Sequence, residues 1–436
     1  MEGAGGASRP PRRRFRLAPQ IQFRRDPTMR LFMTLASASL LASAAQAAPL
    51  SLDEALRLAR SAPGLEARGA DVAAARSSAI AAGRLPDPKL SAGLGNYPIS
   101  GPPAGTLSGD SMTMATLGVS QDIPNSAKRA AARSRAQADI EAAQSGQAAE
   151  ARSVRLNAAL AWVDLYFAKR RLAALDEVDR AIAPLRESAP SQLAAGASRP
   201  SQALEPEQLA AALGDRRAEL VAALGKARAE LVRWTGDPNA EVAGDPPAYA
   251  IDPVALRAGL DELPAIRAYD ALGRQAQADV ALARADKRPD WSWDLTYQRR
   301  DPAYGDMVSI GASVGLPLFG KTRQDPVIAA RASTATRVSY EREAARRALA
   351  ASLDADLADH AMHHDRLMRA KTTLEPLAAR RADLETASYA AGTASLGDVL
   401  SAFLALAETK IDIIDRDAAA RRDAVRIVLT YGSQAQ

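Results

Sequence analysis

Two kinds of hydrophobic spacing follow one another along the chain, and the pair occurs twice. Residues 51–84 and 253–286 place apolar side chains at helical spacing with no strand signal, which predicts one amphipathic helix in each stretch. After each come two short strand-like segments, one beginning after Pro88 or Pro289 and one ending at Pro124 or Pro317. In the stretch PDWSWDLTYQ, Trp291, Trp293, Leu295 and Tyr297 share one face while Asp290, Ser292, Asp294 and Thr296 share the other. Very long helices follow, from about Ala127 to Ile182 and from about Val327 to Thr373. No Gly or Pro interrupts 327–374, a length that predicts a coiled coil or helical tube rather than a globular helix. Breaks at Pro190–Pro200 and Ala390–Gly397 lead into returning helices over 202–234 and 398–431.

The recurrence is a sequence repeat. Residues 61–94 align with 261–295 at a shift of 201, which superposes Pro63 on Pro264, Leu65 on Ile266 and Pro88 on Pro289. At a shift of 193, Gly118 meets Gly311, Ser120 meets Ser313, Pro124 meets Pro317 and Lys128 meets Lys321. At 196, LAAGASRPSQAL (193–204) meets YAAGTASLGDVL (389–400), and Gly236 meets Gly432. Ala-rich helices can match by chance, but Pro and Gly in the same order at four places are hard to produce that way. The chain therefore divides into a first structural repeat over 48–245 and a second over 246–436, each read as helix, two strands, long helix, helix. The fold class is mainly α with a small β part.

Charge and the N-terminus narrow the location. Met29-Arg30 precedes a short apolar run ending in Ala45-Gln46-Ala47, an A-x-A site that predicts a signal peptide over 29–47 cleaved before Ala48. Residues 1–28 are rich in Arg and Pro and fit no export signal, so translation is expected to start at Met29. Eight of the 56 basic residues lie in 1–47 against Glu2 and Asp26, so the mature chain carries 48 basic and 49 acidic residues. The formal charge of +5 thus belongs to the leader, and nucleic-acid binding loses its support. There is no cysteine, which excludes disulfides, thiol nucleophiles and cysteine metal sites. Past residue 50 no stretch approaches the ~20 apolar residues of a membrane-spanning helix.

A β-barrel stays open. An apolar, aromatic face opposite a polar one at period two is the pattern of a transmembrane β-strand, although a half-buried strand of a soluble sandwich has the same spacing. The Gly/Pro/Ser-rich segment YPISGPPAGTLSGDSM between the first two strands reads as a solvent-facing hairpin tip. Four strands cannot close a barrel alone, and unpaired edges are not tolerated in lipid, so other chains must supply the rest. Three copies would give ~12 strands, an even number within the range of outer-membrane barrels.

These features together resemble the TolC-like outer-membrane factors. The resemblance covers 50–432 and rests on the signal sequence, the duplicated element order and the junction Tyr389-Ala-Ala-Gly392-Thr-Ala-Ser-Leu-Gly397-Asp398-Val399-Leu400. DSMTMATLGVSQDIP and SVGLPLFGKTRQ look most like the heavy-metal branch, the CusC- and CzcC-like channels. The resemblance implies a homotrimer in the outer membrane of a Gram-negative bacterium, with a 12-stranded β-barrel and a long-helix α-barrel crossing the periplasm. It implies as partners a periplasmic adaptor, an inner-membrane RND pump and outer-membrane lipid. It implies a passive efflux duct for small solutes, with heavy-metal cations as first cargo and drugs or a type I secreted polypeptide as alternatives. It also implies a pore aperture in which Tyr389 matches the family's tyrosine and Asp398 its first carboxylate. Ala394 and Ser401 stand where the family has an arginine and a second carboxylate, which puts the usual salt-bridge latch in doubt. Asp398 then has two readings, a ring of three carboxylates around the pore or a cap on the returning helix.

All three histidines lie in one run, and His360, His363 and His364 at i, i+3, i+4 share a helix face. Such imidazoles can chelate a divalent transition metal, with Met362 or Met368 suited to a softer ion, or can form an exposed polar patch. Lys128 and Lys321 read either as snorkelling at the inner membrane face or as plain helix-start residues. No G-x-S-x-G, P-loop or H-E-x-x-H is present, GLGNYP leads into no helix, and no cofactor is expected, so an enzyme is not indicated. A soluble periplasmic coiled-coil scaffold or adaptor is the competing class. It would show one inserted β-domain rather than the same hairpin twice.

Overall fold

The structure, a computed structural model, describes residues 49–102, 104–194 and 204–432. The expected leader over 1–47 lies outside them. Two short helices, α1 (Leu52–Ala59) and α2 (Pro63–Ala81), precede β1 (Lys89–Gly95) and β2 (Met114–Ile123). The long α3 (Ser126–Ala194) and α4 (Glu205–Thr235) follow. The same order then recurs as α5 (Pro253–Ala258), α6 (Pro264–Ala285), β3 (Trp291–Arg299), β4 (Met307–Val314), α7 (Gly320–Arg369), α8 (Glu375–Ala390) and α9 (Leu396–Tyr431).

Proline sets several boundaries. The single first helix expected in each half is two helices, because the residue before a proline is pushed out of the α region. Ala62 (ψ 133°) and Leu263 (ψ 140°) are extended, and Pro63 and Pro264 restart the helix at its first position, where the missing N–H costs nothing. Elsewhere packing overrides proline. α3 runs past its expected end at Ile182 and through Pro184 and Pro190 to Ala194, since Leu175 and Ile182 are clamped by Leu213 and Leu220 of α4. The rest of the break expected there, over 195–203, lies outside the described residues. α7 starts at Gly320 rather than near Val327 and carries Pro326 inside it. It continues into α8 through a π turn at Ala370–Leu374, directly before Pro376, whose absent N–H leaves the preceding turn a bond short. α3 alone, 69 residues long, spans about 100 Å at 1.5 Å per residue.

The helices form two tiers along these rods. α2, α3, α6 and α7 lie side by side in that order, while α4 and α9 pack on α3, and α9 also packs on α7 and α8. The main core gathers where α1, α3, α4 and α9 meet, around the fully buried Trp162, Leu165, Val425 and Leu231. The Trp162 indole donates to the Leu50 carbonyl at 2.8 Å, which gives its one polar atom a partner inside the core. A second core, Leu175, Ile182, Leu220, Leu396, Leu400 and Ile411, holds the far end where α8 turns into α9. No described helix is long and apolar enough to cross a membrane.

The strands form one antiparallel sheet in the order β1-β2-β3-β4, the same left-to-right order as the helices α2-α3-α6-α7. Register puts Leu90 opposite Val119, Val119 opposite Leu295, and Leu295 opposite Ile310. The row beside it joins Ala92, Leu117, Tyr297 and Val308. The other face carries Ser91, Gly118, Thr296 and Ser309 in one row and Ser120, Asp294 and Gly311 in the next. Glycine leaves room for neighbouring side chains in both of these rows. A Cβ at Gly118 would lie within 3.0 Å of Ser91 Oγ and Thr296 Oγ1, and one at Gly311 would lie 2.5 Å from Asp294 Oδ1. Gly311→Val should therefore push the Asp294 carboxylate aside and weaken β3–β4 pairing, and adding Asp294→Ala should restore it. Heat-dependent mobility of the folded protein on an SDS gel measures this; a fully folded single variant would show that the approach is not tight.

Candidate membrane face and channel entrance

Most large side chains on the apolar face of the sheet are open to the surroundings, Ile123 beside Trp291 being half-buried. Trp291 is 54% exposed, Leu295 42% and Ile310 81%, in a sheet where Leu90, Leu117, Tyr297 and Val308 are exposed as well. A contiguous apolar surface of this kind marks a membrane or partner contact. With polar and small residues on the opposite face, the sheet has the two-sided pattern of a lipid-facing, water-lined wall. β1 and β4 are its outer strands, each paired on one side only among the described residues. The outermost helices of the matching tier also expose apolar groups, Ile80 on α2 and Val327 and Tyr340 on α7.

An ion network joins this sheet to the helices. Lys128 Nζ reaches Asp286 at 2.8 Å and also contacts Asp290, while Asp290 accepts from the Asn125 backbone N–H (2.8 Å) and side-chain amide (2.9 Å). Asn125 Oδ1 in turn caps α3 by accepting from Lys128 N at 2.9 Å. Partial burial opposes the charge on Lys128, but its two carboxylates prevail and raise its pKa. Sequence reasoning read Lys128 as snorkelling or as a plain helix start; its partners, more than 150 residues away, were invisible to it. Lys321, which aligns with it in the sequence at a shift of 193, is exposed.

At the opposite end, α8 closes with Gly392 in the left-handed region (φ 77°). Gly392 N donates to Tyr389 O (2.9 Å) and Thr393 N to Ser388 O (2.9 Å), a Schellman closure that only a residue free to take positive φ makes without strain. Three residues later Ser395 and Asp398 cap each other across the start of α9: Asp398 N donates to Ser395 Oγ (3.2 Å), and Ser395 N to Asp398 Oδ2 (2.9 Å). The capping reading of Asp398 is thus realised, and its side chain is also exposed. Tyr389 packs against the core formed by Leu396, Leu400 and Ile411. Sequence reasoning missed Glu205, the first residue of α4. A Cβ at Gly397 would run into its carboxylate, so the starts of α4 and α9 touch here.

The histidines separate. His363 Nδ1 lies 2.6 Å from Oδ2 of the buried Asp423 on α9, while the His360 and His364 rings face each other at 6.4 Å. Burial holds the His360 imidazole below the ordinary histidine range, with the charge of Asp423 working against it. Among the described residues no group of three or more His, Asp and Glu side chains is arranged to hold a metal ion.

The bonds from Ser395 favour the ionised form of Asp398 and lower its pKa. A carboxyl depressed in the folded state stabilises it above the unfolded pKa of about 4 and loses that contribution as pH falls through the folded value. Hydrogen-exchange protection at Leu396–Val399 should be high at neutral pH and fall below about pH 4. In Asp398→Ala it should be low throughout; equal protection in both proteins at pH 7 would remove the cap from the account.

Residues 256–433 match the model of the outer membrane efflux protein family. No curated protein sequence matches the chain. The fold is shared with solved outer-membrane proteins. The crystal structures of CusC, which concern conformational changes in folding and transmembrane channel formation, match with a TM-score of 0.72 at 15% identity, over 87% of this chain and 92% of that one. The CmeC outer membrane channel of Campylobacter jejuni gives 0.73 at 15%, over 87% and 85%. The outer membrane protein VceC of Vibrio cholerae gives 0.72 at 17%, over 87% and 96%. Residues 256–433 thus resemble the outer membrane efflux protein family, and the described residues carry the TolC-like outer-membrane channel fold.

Proposed function

We propose that three copies of this chain form a passive efflux duct through the outer membrane. In this reading the two structural repeats, 48–245 and 246–436, each contribute two strands to a 12-stranded barrel and one long rod to a helical tube beneath it. The single observation that carries the proposal is the sheet itself, apolar and exposed on one face, polar on the other and open at both edges. Joining β4 of one copy to β1 of the next satisfies the edge backbone groups, which lipid cannot do. The same rotation brings the exposed apolar groups of α7 against those of α2.

The duct supplies no chemistry. A periplasmic adaptor and an inner-membrane RND pump would deliver cargo to the α8–α9 end. Asp398 from three copies would ring that entrance with carboxylates, which favours cations. Heavy-metal cations are the cargo this supports best, helped by the His360–His364 pair and the exposed Met362 and Met368 on α7. CusC is among the proteins of the same fold. Organic drugs or a polypeptide remain the alternative cargo for the same duct.

Separation of membranes on a sucrose gradient, followed by mass determination of the detergent-extracted protein, tests the assembly. The expected result is a trimer in the outer-membrane fraction. A soluble periplasmic monomer would overturn the barrel and favour the scaffold. For cargo, expression with its pump in cells lacking their own channels should restore tolerance to zinc or copper salts; restored tolerance to organic drugs alone would reassign it.

A further inference from the structure

A cavity of about 1270 Å³ opens between the α1–α2 corner, α3 and the start of α6, remote from both the sheet and the α8–α9 turn. Five arginines line it, Arg60, Arg152, Arg155, Arg267 and Arg274, against three carboxylates, Glu141, Glu262 and Asp270. The carboxylates are already engaged: Glu262 pairs with Arg267, Glu141 with Arg274, and Asp270 with Arg342 from outside the cavity. Arg60 makes no hydrogen bond or ion pair through its side chain among the described residues. Arg152 spends two donors on neutral acceptors, the carbonyls of Thr430 (2.7 Å) and Gly432 (2.6 Å), so its charge meets only the weak negative end of the α9 dipole. Burial, then repulsion from the neighbouring Arg155, pushes the Arg152 pKa down. Like charges crowded in a half-enclosed site invite a negative partner.

The walls limit what that partner is. Leu65, Val154, Leu263 and Pro264 form an apolar side beside the arginines, with Gln144 and Ser145 as uncharged polar groups. Clefts that mix one apolar wall with a few convergent polar groups fit small amphiphilic molecules. Guanidinium groups recognise carboxylate and phosphate oxygens through paired N–H donors. We propose that this cavity binds a small amphiphilic anion, a carboxylate or phosphate on a short apolar chain, held by Arg60 and Arg152 at its head and by Leu65 and Leu263 along its body. The site would give the channel a ligand-responsive joint, because Arg152 also ties the end of α9 to α3.

Isothermal titration of the purified protein in a neutral maltoside detergent tests this with three probes, hexyl phosphate, inorganic phosphate and hexanol. Hexyl phosphate should bind saturably, and Arg60→Gln should weaken it about tenfold, as expected for one lost charge-assisted contact. The Arg60 side chain is exposed and makes no bond among the described residues, so this variant keeps the fold; Arg155→Gln serves as a second probe of the same charge field. Equal affinity for inorganic phosphate would keep the anion site and assign it to free anions. Preference for hexyl phosphate assigns it to amphiphiles. No saturable binding of either phosphate, equal binding of hexanol, or unchanged affinity in both variants would overturn the proposal.

Discussion

The backbone groups of an edge strand have no water to turn to inside hydrocarbon, and that constraint organises the rest of this molecule. The sheet exposes Trp291, Trp293, Leu295 and Ile310 on one face and, among the described residues, leaves β1 and β4 each without a neighbour on one side. An apolar face of this size fits lipid, yet edges cannot remain open there, and this is the ground on which we propose that the chain is one segment of a closed wall. The order of helices α2-α3-α6-α7 beneath β1-β2-β3-β4 carries the same segment downward. The Asn125–Asp290–Lys128–Asp286 network ties the sheet to the rods where the strands give way to helix.

Local physics made much of this legible before any coordinates. The alternation from Trp291 to Tyr297 depends only on the pleat, and the structure puts those four residues on one exposed face. The rods were legible because a long run of Ala, Leu and charged residues without Gly or Pro has few alternatives to helix. Their ends were less so. Whether Pro184 stops α3 depends on what Leu213 and Leu220 give back across the contact, which is a property of α4 and not of the residues around the proline. The breaks before Pro63 and Pro264 are the converse, local restrictions that a reading of apolar spacing passed over.

At the α8–α9 turn the limit was different. Tyr389 and Asp398 were placed at the α8–α9 turn by resemblance, and the turn is there; the reciprocal cap with Ser395 is written in the four residues themselves. Glu205 against Gly397 was not legible, because the two residues approach only once both long rods have turned back. The histidines show the same lesson. Helical spacing put His360, His363 and His364 on one face, but Asp423, 60 residues on, binds His363 in the α7–α9 contact, where His360 is also partly buried, and His364 stays exposed.

The central claim, that the exposed apolar face of the sheet is set in lipid, can be measured through the chain's own tryptophans. Of the four, Trp162 is fully buried among helices and Trp234 packs against the same core, while Trp291 and Trp293 stand on the outward face of β3. With Trp162 and Trp234 replaced by Phe, the protein reconstituted in bilayers of lipid brominated along its acyl chains should lose most of its tryptophan emission. The variant with Trp291 and Trp293 replaced instead should keep it. Emission from Trp291 and Trp293 that brominated lipid leaves unquenched, but aqueous iodide quenches, would contradict the account.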